Sequence, residues 1–302
     1  MRYVQLRAFH HVALAGGFSR AAEVLGLSQP AISDQVRKLE EQYEVVLFNR
    51  QRRQVTPTVA GLKLLKITRR LFDAETEALD LLSENRALRV GTLRIIVDSV
   101  RHIRSALAEF RRRYPGVRVV LRVGHSEAVT DALHAYEADL GVLGEIPETR
   151  HFAILPLNSA PIVAFVAKNH PLADRGALTL AELGGEVLVM RERGSKTRAK
   201  LESAAEREGV PLLPTIEAEG REALRDVVAG GNGVGFVSAA EFEPDARLVA
   251  IPLKTTLPLT MDEALICLHE RLDGKLVRAF FELARAQAKT DQPHGAVKDS
   301  HG

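Results

Sequence analysis

Sulfur chemistry is nearly missing from this sequence. Among 302 residues there is one cysteine, Cys267, so no internal disulfide can form and a reducing cytoplasm suits the chain. Long apolar runs are missing too, since no stretch approaches the roughly 20 apolar residues that a membrane span needs. The N-terminal MRYVQLRAFHHVALAGG has neither a long apolar core nor a small-residue cleavage site and reads as a helix. The expectation is a soluble, cytoplasmic chain that does not engage membranes. Catalytic signatures are equally scarce. There is no G-x-S-x-G elbow, and Cys267 has no evident catalytic partner. GGNGVGF at 230–236 precedes a strand instead of following one, the wrong order for a dinucleotide loop. The ten histidines show no metal-ligand spacing, and His10 and His11 are helix neighbours pointing to different faces. No catalytic residue, metal site or cofactor is expected.

What is present fits a globular chain of two or three cores, with 46% hydrophobic and 26% charged residues. The net charge of +2 says little, but its distribution says more. Residues 48–54, FNRQRRQ, hold Arg50, Arg52 and Arg53 with no acid among them. The arginines of residues 101–113 read instead as a solvated helix face.

Residues 2–15 put Leu6, Phe9 and Ala13 on one helical face, with Val12 adjoining. Gly16-Gly17 ends this helix, Ser19 is a natural N-cap for a short second helix, and Gly26 closes it with a tight turn. Ser28 caps a third helix, and Pro30 sits in its first turn, where a missing N–H costs nothing. This helix is expected to bury Ile32, Val36 and Leu39 and to present Gln29, Pro30, Ser33, Asp34 and Arg37. Two short helices around a glycine turn form a helix-turn-helix, whose second helix can enter the major groove of double-stranded DNA. The exposed chemistry suits that role. Gln29 can pair bidentately with adenine, Ser33 can donate or accept, and Pro30 offers an apolar surface to a thymine methyl. Ser28 lies at the same end, and Arg37, one turn on, suits a phosphate or a guanine edge. VVLFNRQRRQVTPT then reads as a strand, a basic turn and a strand: a wing for the minor groove or flanking phosphates.

The segment AFHHVALAGGFSRAAEVLGLSQPAISDQVRKLEEQYEVVLFNRQRRQVTPTVAG resembles the N-terminal module of LysR-type transcriptional regulators. The shared parts are the GFSRAAEVLGLSQPAIS core, the LEEQ-x4-LF segment, the R-x-x-R wing and the T-x-A-G start of the next helix. The resemblance implies DNA contacts at Gln29, Pro30, Ser33, Arg50 and Arg53. Pro57 departs from the family's frequent leucine and should stiffen the wing's exit.

Thr58 can cap a long helix running to about residue 86, in which Leu65, Phe72 and Leu79 recur every seven residues, interrupted by Thr68 and Glu75. Such a repeat pairs with a partner helix, and the resemblance implies a dimerising linker. From Leu93 the pattern becomes strands alternating with helices, the rhythm of a parallel, doubly wound sheet. This half resembles the effector domain of LysR-type regulators, which is similar to periplasmic binding proteins: an α/β fold of two lobes, with ligand sites at the strand ends in the cleft. A secreted solute-binding protein would share this half but not the helix-turn-helix. The expected domains are 1–58 for DNA binding, 59–88 for the linker helix, 89–290 for the two-lobed effector domain and 291–302 for a disordered tail.

The strand ends place Ser99 and Arg101, His125 and Ser126, and the segment Arg191, Arg193, Ser195, Lys196 and Thr197 around the cleft. Hydroxyls and three cations before a helix suit a small anionic effector, and Glu145 or Glu219 would receive an amine if the ligand carries one. The N-terminal stretch and ADLGVLGEIPE, APIVAFVAKNHPLA and RERGSKTR are similar to a LysR subgroup associated with aminoethylphosphonate breakdown. The expected function is a DNA-binding transcriptional regulator controlled by a phosphonate such as 2-aminoethylphosphonate, or by another small carboxylate or amino-acid-like metabolite. Its expected partners are promoter DNA, a second or further copies in a homodimer or homotetramer, and RNA polymerase.

Overall fold

The computed structural model describes residues 1–51, 54–82, 91–145 and 150–291. Residues 292–302 of the expected tail and residues 83–88 of the expected linker helix therefore lie outside the described residues, whereas Asp291 belongs to a helix. The chain divides into two compact units, Met1–Asn85 and Arg86–Gly302.

In the first unit, α1 (Tyr3–Ala15), α2 (Phe18–Leu25) and α3 (Gln29–Gln42) precede a two-stranded antiparallel wing, β1 (Phe48–Gln51) and β2 (Gln54–Pro57), and then α4 (Val59–Leu82). Leu6, Phe9 and Val12 of α1 pack on Ala21, Ala22, Ile32, Val36 and Leu39, and Phe48 closes the core from the wing. Ser19 does not cap α2. The helix begins at Phe18, behind Gly17, and this places the Phe18 ring 5.9 Å from that of Phe48. Thr58 does cap α4: its hydroxyl accepts the Gly61 N–H at 3.0 Å and donates to the Val46 carbonyl at 2.7 Å. A Cβ on Gly61 would lie 2.2 Å from the Leu47 carbonyl oxygen, so only glycine lets α4 start this close to the wing.

The heptad reading of α4 needs correction. Leu65 is buried in the core of its own module, and the Phe72 ring packs 4.6 Å from His10 and 5.7 Å from Tyr3. Thr68, which seemed to interrupt the seam, is fully buried and bonds His10 at 3.0 Å. Tyr3 donates to Glu75 at 2.6 Å. This face binds α1 because α1 offers aromatic and hydrogen-bonding partners at matching heights. A different stripe, Leu64, Ile67, Leu71, Ala74 and Ala78, repeats at alternating spacings of three and four on another side of the helix. From Ile67 onward its members are exposed, Ile67 at 60% and Leu71 at 41%.

In the second unit, β3 (Thr92–Val97), β4 (Arg118–Val123) and β5 (Leu140–Leu143) are parallel, connected through α5 (Arg104–Arg113) and α6 (Ser126–His134). The expected rhythm holds there. The sheet is then completed by β6 (Phe152–Ala167), β7 (Leu178–Thr179), β10 (Gly235–Ser238), β11 (Leu248–Lys254) and β12 (Thr260–Leu268), in the order β4-β3-β5-β12-β6-β11-β7 with β10 also on β6. β12 runs antiparallel to both β5 and β6, so the sheet is mixed. A small parallel pair, β8 (Val189–Arg191) and β9 (Ile216–Ala218), is joined to the lead into β10 by a bridge between Leu188 and Val234 and is accompanied by α7 (Lys196–Arg207) and α8 (Arg221–Ala229), and α9 (Lys275–Asp291) closes the unit. Two sets of apolar cores define the lobes. One is built around Leu93, Phe110, Leu140 and Phe280, the other around Leu188, Leu201, Val234 and Phe236.

Candidate DNA interface and effector cleft

Gly26, at φ +64°, ends α2 in the left-handed region, and Leu27 N–H bonds the Ala22 carbonyl at 3.0 Å to complete the turn. Ser28 then caps α3, its hydroxyl accepting the Ala31 N–H at 3.4 Å. Because Ile32, Val36 and Leu39 face the core, the helix start is turned outward. Ser28, Gln29 and Pro30 are exposed and Ser33 is half-buried, as the sequence suggests. Arg37 is exposed but committed, bonded to Asp34 at 2.7 Å and to Glu41 at 2.8 Å. Glu40 accepts the N–H groups of Leu47 at 2.8 Å and Phe48 at 3.2 Å, fixing the wing to the end of α3. The Arg50 backbone lies in β1 opposite Val55. Arg53 lies outside the described residues.

The cleft residues of the second unit separate into two groups. The hydroxyl residues are all buried. Ser126 opens α6 behind its N-cap His125, whose Nδ1 accepts the Ala128 N–H at 3.2 Å. Gly194, at φ +92°, seats the turn before α7 directly on that cap, where a Cβ would lie 3.0 Å from the His125 ring. Ser195 is the N-cap residue of α7 and is buried, yet its side chain makes no capping bond. Thr197 is also buried and donates to Met261 Sδ at 3.8 Å. Ser99 is buried at the end of β3, its hydroxyl accepting the Arg101 N–H at 3.4 Å.

The cations do not converge as expected, because three of them pair with neighbouring acids. Arg101 pairs with Glu243 at 3.1 Å and Lys196 with Glu145 at 2.6 Å. Arg191 is bound to Glu192, whose carboxylate also takes the Gly220 N–H at 3.0 Å. Burial opposes the Glu192 charge, but these donors outweigh it and bring its pKa down to about 2. Arg193 is exposed. Glu219 is exposed as well, and with Glu145 already paired, neither acid stands ready for an amine.

A buried charge cluster between the lobes escaped the sequence reading. Arg221, the first residue of α8, bonds Glu241 at 2.7 Å, lies 3.8 Å from the Asp98 carboxylate and donates to the Asp98 carbonyl. His102 Nε2 lies 3.1 Å from Glu241 and 3.6 Å from Glu263. Burial pushes Asp98 up to about 6 against the pull of Arg221. Burial, reinforced by the charges of Asp98 and Glu241, pushes Glu263 up to about 9. Burial also opposes the charge on Glu241, but His102 and Arg221 hold its pKa down. Among the described residues, Asp98, His102 and Glu241 bring three ligand-type atoms within 4.8 Å of one another, but the Arg221 guanidinium already supplies the positive charge there. A cavity of about 410 Å³ opens beside the cluster, with Asp98, Ser99, Arg221, Glu241, Phe165 and Leu224 in its walls. Arg221 follows a glycine at a strand-to-helix turn, a signal the strand-end rule could have used. Glu263 shows itself only as an acid at the edge of the apolar run ALICL.

The model of the bacterial regulatory helix-turn-helix protein, lysR family, matches residues 3–62, and that of the LysR substrate binding domain matches residues 83–289. The chain belongs to the LysR family. As a LysR regulator it is similar to the RuBisCO operon transcriptional regulator of Allochromatium vinosum, 33% identical over 85% of this chain and 84% of that one. The full-length LysR protein CbnR, solved in complex with its target DNA, shares the fold at a TM-score of 0.67 and 21% identity over 95% of this chain and 99% of that one. The CcmR regulatory domain of Synechocystis, solved with 2-PG, matches at a TM-score of 0.60 and 25% identity over 66% of this chain and 98% of that one. This LysR chain is a DNA-binding transcriptional regulator with a small-molecule effector domain. No helix among its described residues is long and apolar enough to cross a membrane.

Proposed function

We propose that this regulator reads operator half-sites with Ser28, Gln29, Pro30 and Ser33, aided by Arg50 and Arg53 of the wing, and responds to a small anion held between the lobes of its effector domain. The observation that carries the anion reading is the meeting of two helix starts. Gly194 seats the α7 turn against His125 and Glu127 at the start of α6, and Ser126, Ser195 and Thr197, at these two helix starts, are buried, so N-terminal N–H groups of both helices are at hand for an anion. Thr197 reaches Met261, whose methyl lies beside Gly144 and Asp98. A phosphonate such as 2-aminoethylphosphonate has three acceptor oxygens for this cradle, and the resemblance of RERGSKTR to an aminoethylphosphonate subgroup supports it. A second reading, favoured by the relative named for the RuBisCO operon and by the CcmR domain with 2-PG, is a regulator of carbon assimilation responding to 2-PG. The protein works as a homodimer or homotetramer paired through the exposed stripe of α4, and its occupancy of a promoter influences RNA polymerase. Calorimetry with 2-aminoethylphosphonate, 2-PG and simple carboxylates, on the parent and on Ser195→Ala, tests the site. Binding weakened by roughly tenfold or more in the variant is expected for one lost charge-assisted hydrogen bond. An affinity that ignores Ser195 removes the cradle from consideration.

A further inference from the structure

Beside the proposed anion cradle, two carboxylates converge on a point filled by the Met261 methyl group. A Cβ built on Gly144 would lie 3.2 Å from Glu263 Oε1, 3.3 Å from Asp98 Oδ2 and 2.2 Å from the Met261 methyl. Glu263 is 0% exposed and neither of its oxygens has a hydrogen-bond partner, and Asp98 Oδ1 is likewise buried and unpartnered. An unpaired buried acceptor costs free energy, and Glu263 Oε1 is such an acceptor facing this spot, with Asp98 Oδ2 across from it, so the place is suited to receive a donor. The spot is a hydrogen bond's length from both carboxylates, and Met261, a flexible side chain, occupies it. Met261 is in turn tied to the cradle, because the Thr197 hydroxyl donates to its sulfur at 3.8 Å.

We propose that the effector is a zwitterion: its anionic end takes the Thr197 hydroxyl, Met261 is released, and its primary ammonium replaces the methionine methyl between Glu263 and Asp98. This assignment rests on the anion reading of the cleft and adds the positive end of the ligand to it. An ammonium fits better than a hard metal ion. It needs three acceptors, whereas a calcium-type ion takes six or more oxygens, and Arg221 already stands 3.8 Å from Asp98. Insertion of a cation favours the ionised form of Glu263, so its proton leaves to solvent as the ammonium enters.

The test is calorimetry on the full-length parent with matched pairs, 2-aminoethylphosphonate against ethylphosphonate and β-alanine against propionate. The amine should bind about tenfold tighter or more within a pair, and the ratio should collapse in Glu263→Gln. Equal affinity for amine and des-amino probes in the parent overturns the ammonium site while leaving the anion cradle standing. So does a preference that survives in Glu263→Gln. Binding of neither pair overturns the cradle, and the zwitterion with it. If Glu263→Gln fails to fold, the parent alone still decides. Near pH 8, repeated titrations in buffers of different ionisation enthalpy should show a proton released with each amine probe and none with its des-amino partner, and equal release from both refutes the assignment.

Discussion

On α3, Asp34, Arg37, Lys38 and Glu41 stand on the surface as ion pairs of 2.7–2.8 Å between residues three or four apart. Around β12, Asp98, His102, Arg221, Glu241 and Glu263 crowd together from segments up to 165 positions apart, with the side chains of His102, Glu241 and Glu263 no more than 1% exposed. The two regions use charge in opposite ways. Exposed helix pairs contribute roughly 0.3–0.5 kcal/mol and exchange partners readily, so Arg37 can leave Asp34 for a phosphate at little cost. Buried charges have no such freedom. Each must be paired, neutralised or left as a deficit that a ligand can relieve. The surface of the first unit is therefore available for reading DNA by local substitution of partners, and the interior of the second is primed to respond to one charge pattern.

The sharpest way to break this comparison is through α4. Ile67→Glu with Leu71→Glu should abolish pairing between copies and with it binding to paired half-sites, seen as loss of the oligomer in light scattering. Phe72→Glu should instead unfold the module, because Phe72 packs against its own α1. An intact oligomer in the double variant would show that other surfaces hold it. Next in size, Gln29→Ala should cost about 1–3 kcal/mol at the base pair it reads and relax selectivity there, as measured by competition with mutated operators.

The buried cluster gives stability a pH signature. Folded Glu263 keeps its proton up to about 9, whereas the unfolded chain releases it near 4.3. Between those values the folded state binds more protons, so its stability is greatest at the acid end and falls as pH rises. Asp98, raised to about 6, acts in the same direction at the lower end of that window. Glu192, depressed to about 2, changes stability only below pH 4.5. Urea denaturation at pH 5 and 8 should therefore show a loss in the parent that Glu263→Gln largely removes, and an unchanged slope in the variant would refute the assignment. The smallest effect belongs to Arg37→Ala, under about 0.5 kcal/mol in stability because its pairs are exposed. Arg53→Ala should lower the salt dependence of DNA binding by about one charge.

The helix-turn-helix was legible because its determinants are local. Gly26, Ser28, Pro30 and the spacing of Ile32, Val36 and Leu39 act within a few residues of one another. The face of α4 was misread because periodicity cannot say which stripe is taken by the helix's own chain. The pairing of His10 with Thr68 and the packing of Phe72 on His10 and Tyr3 decide that. The cleft was half legible. Strand ends and helix caps pointed to Ser99, Ser126, Ser195 and Thr197, which are buried there, whereas Arg101, Arg191 and Lys196 were read without the acids that pair with them. Asp98 and Gly144 stand just past their strand ends beside Glu263, a neighbour that no local pattern could supply because the antiparallel packing of β12 brings it from far along the chain.

Strand β6 runs 16 residues through both lobes, bonded to β12 along one part and to β10 and β11 along the other. Swinging the lobes apart would tear a continuous ladder of backbone bonds, so the soft motion left to the domain is torsion. The register shifts between Glu263 and Ala264, opposite the stretch Pro156–Asn158, and a bulge of this kind concentrates twist. The carboxylate that lacks a partner therefore sits on the joint of a torsion rod. A charge placed against it would be converted into rotation of one end of the rod relative to the other, and the displacement would be greatest at the sheet edges and least at the bound ligand.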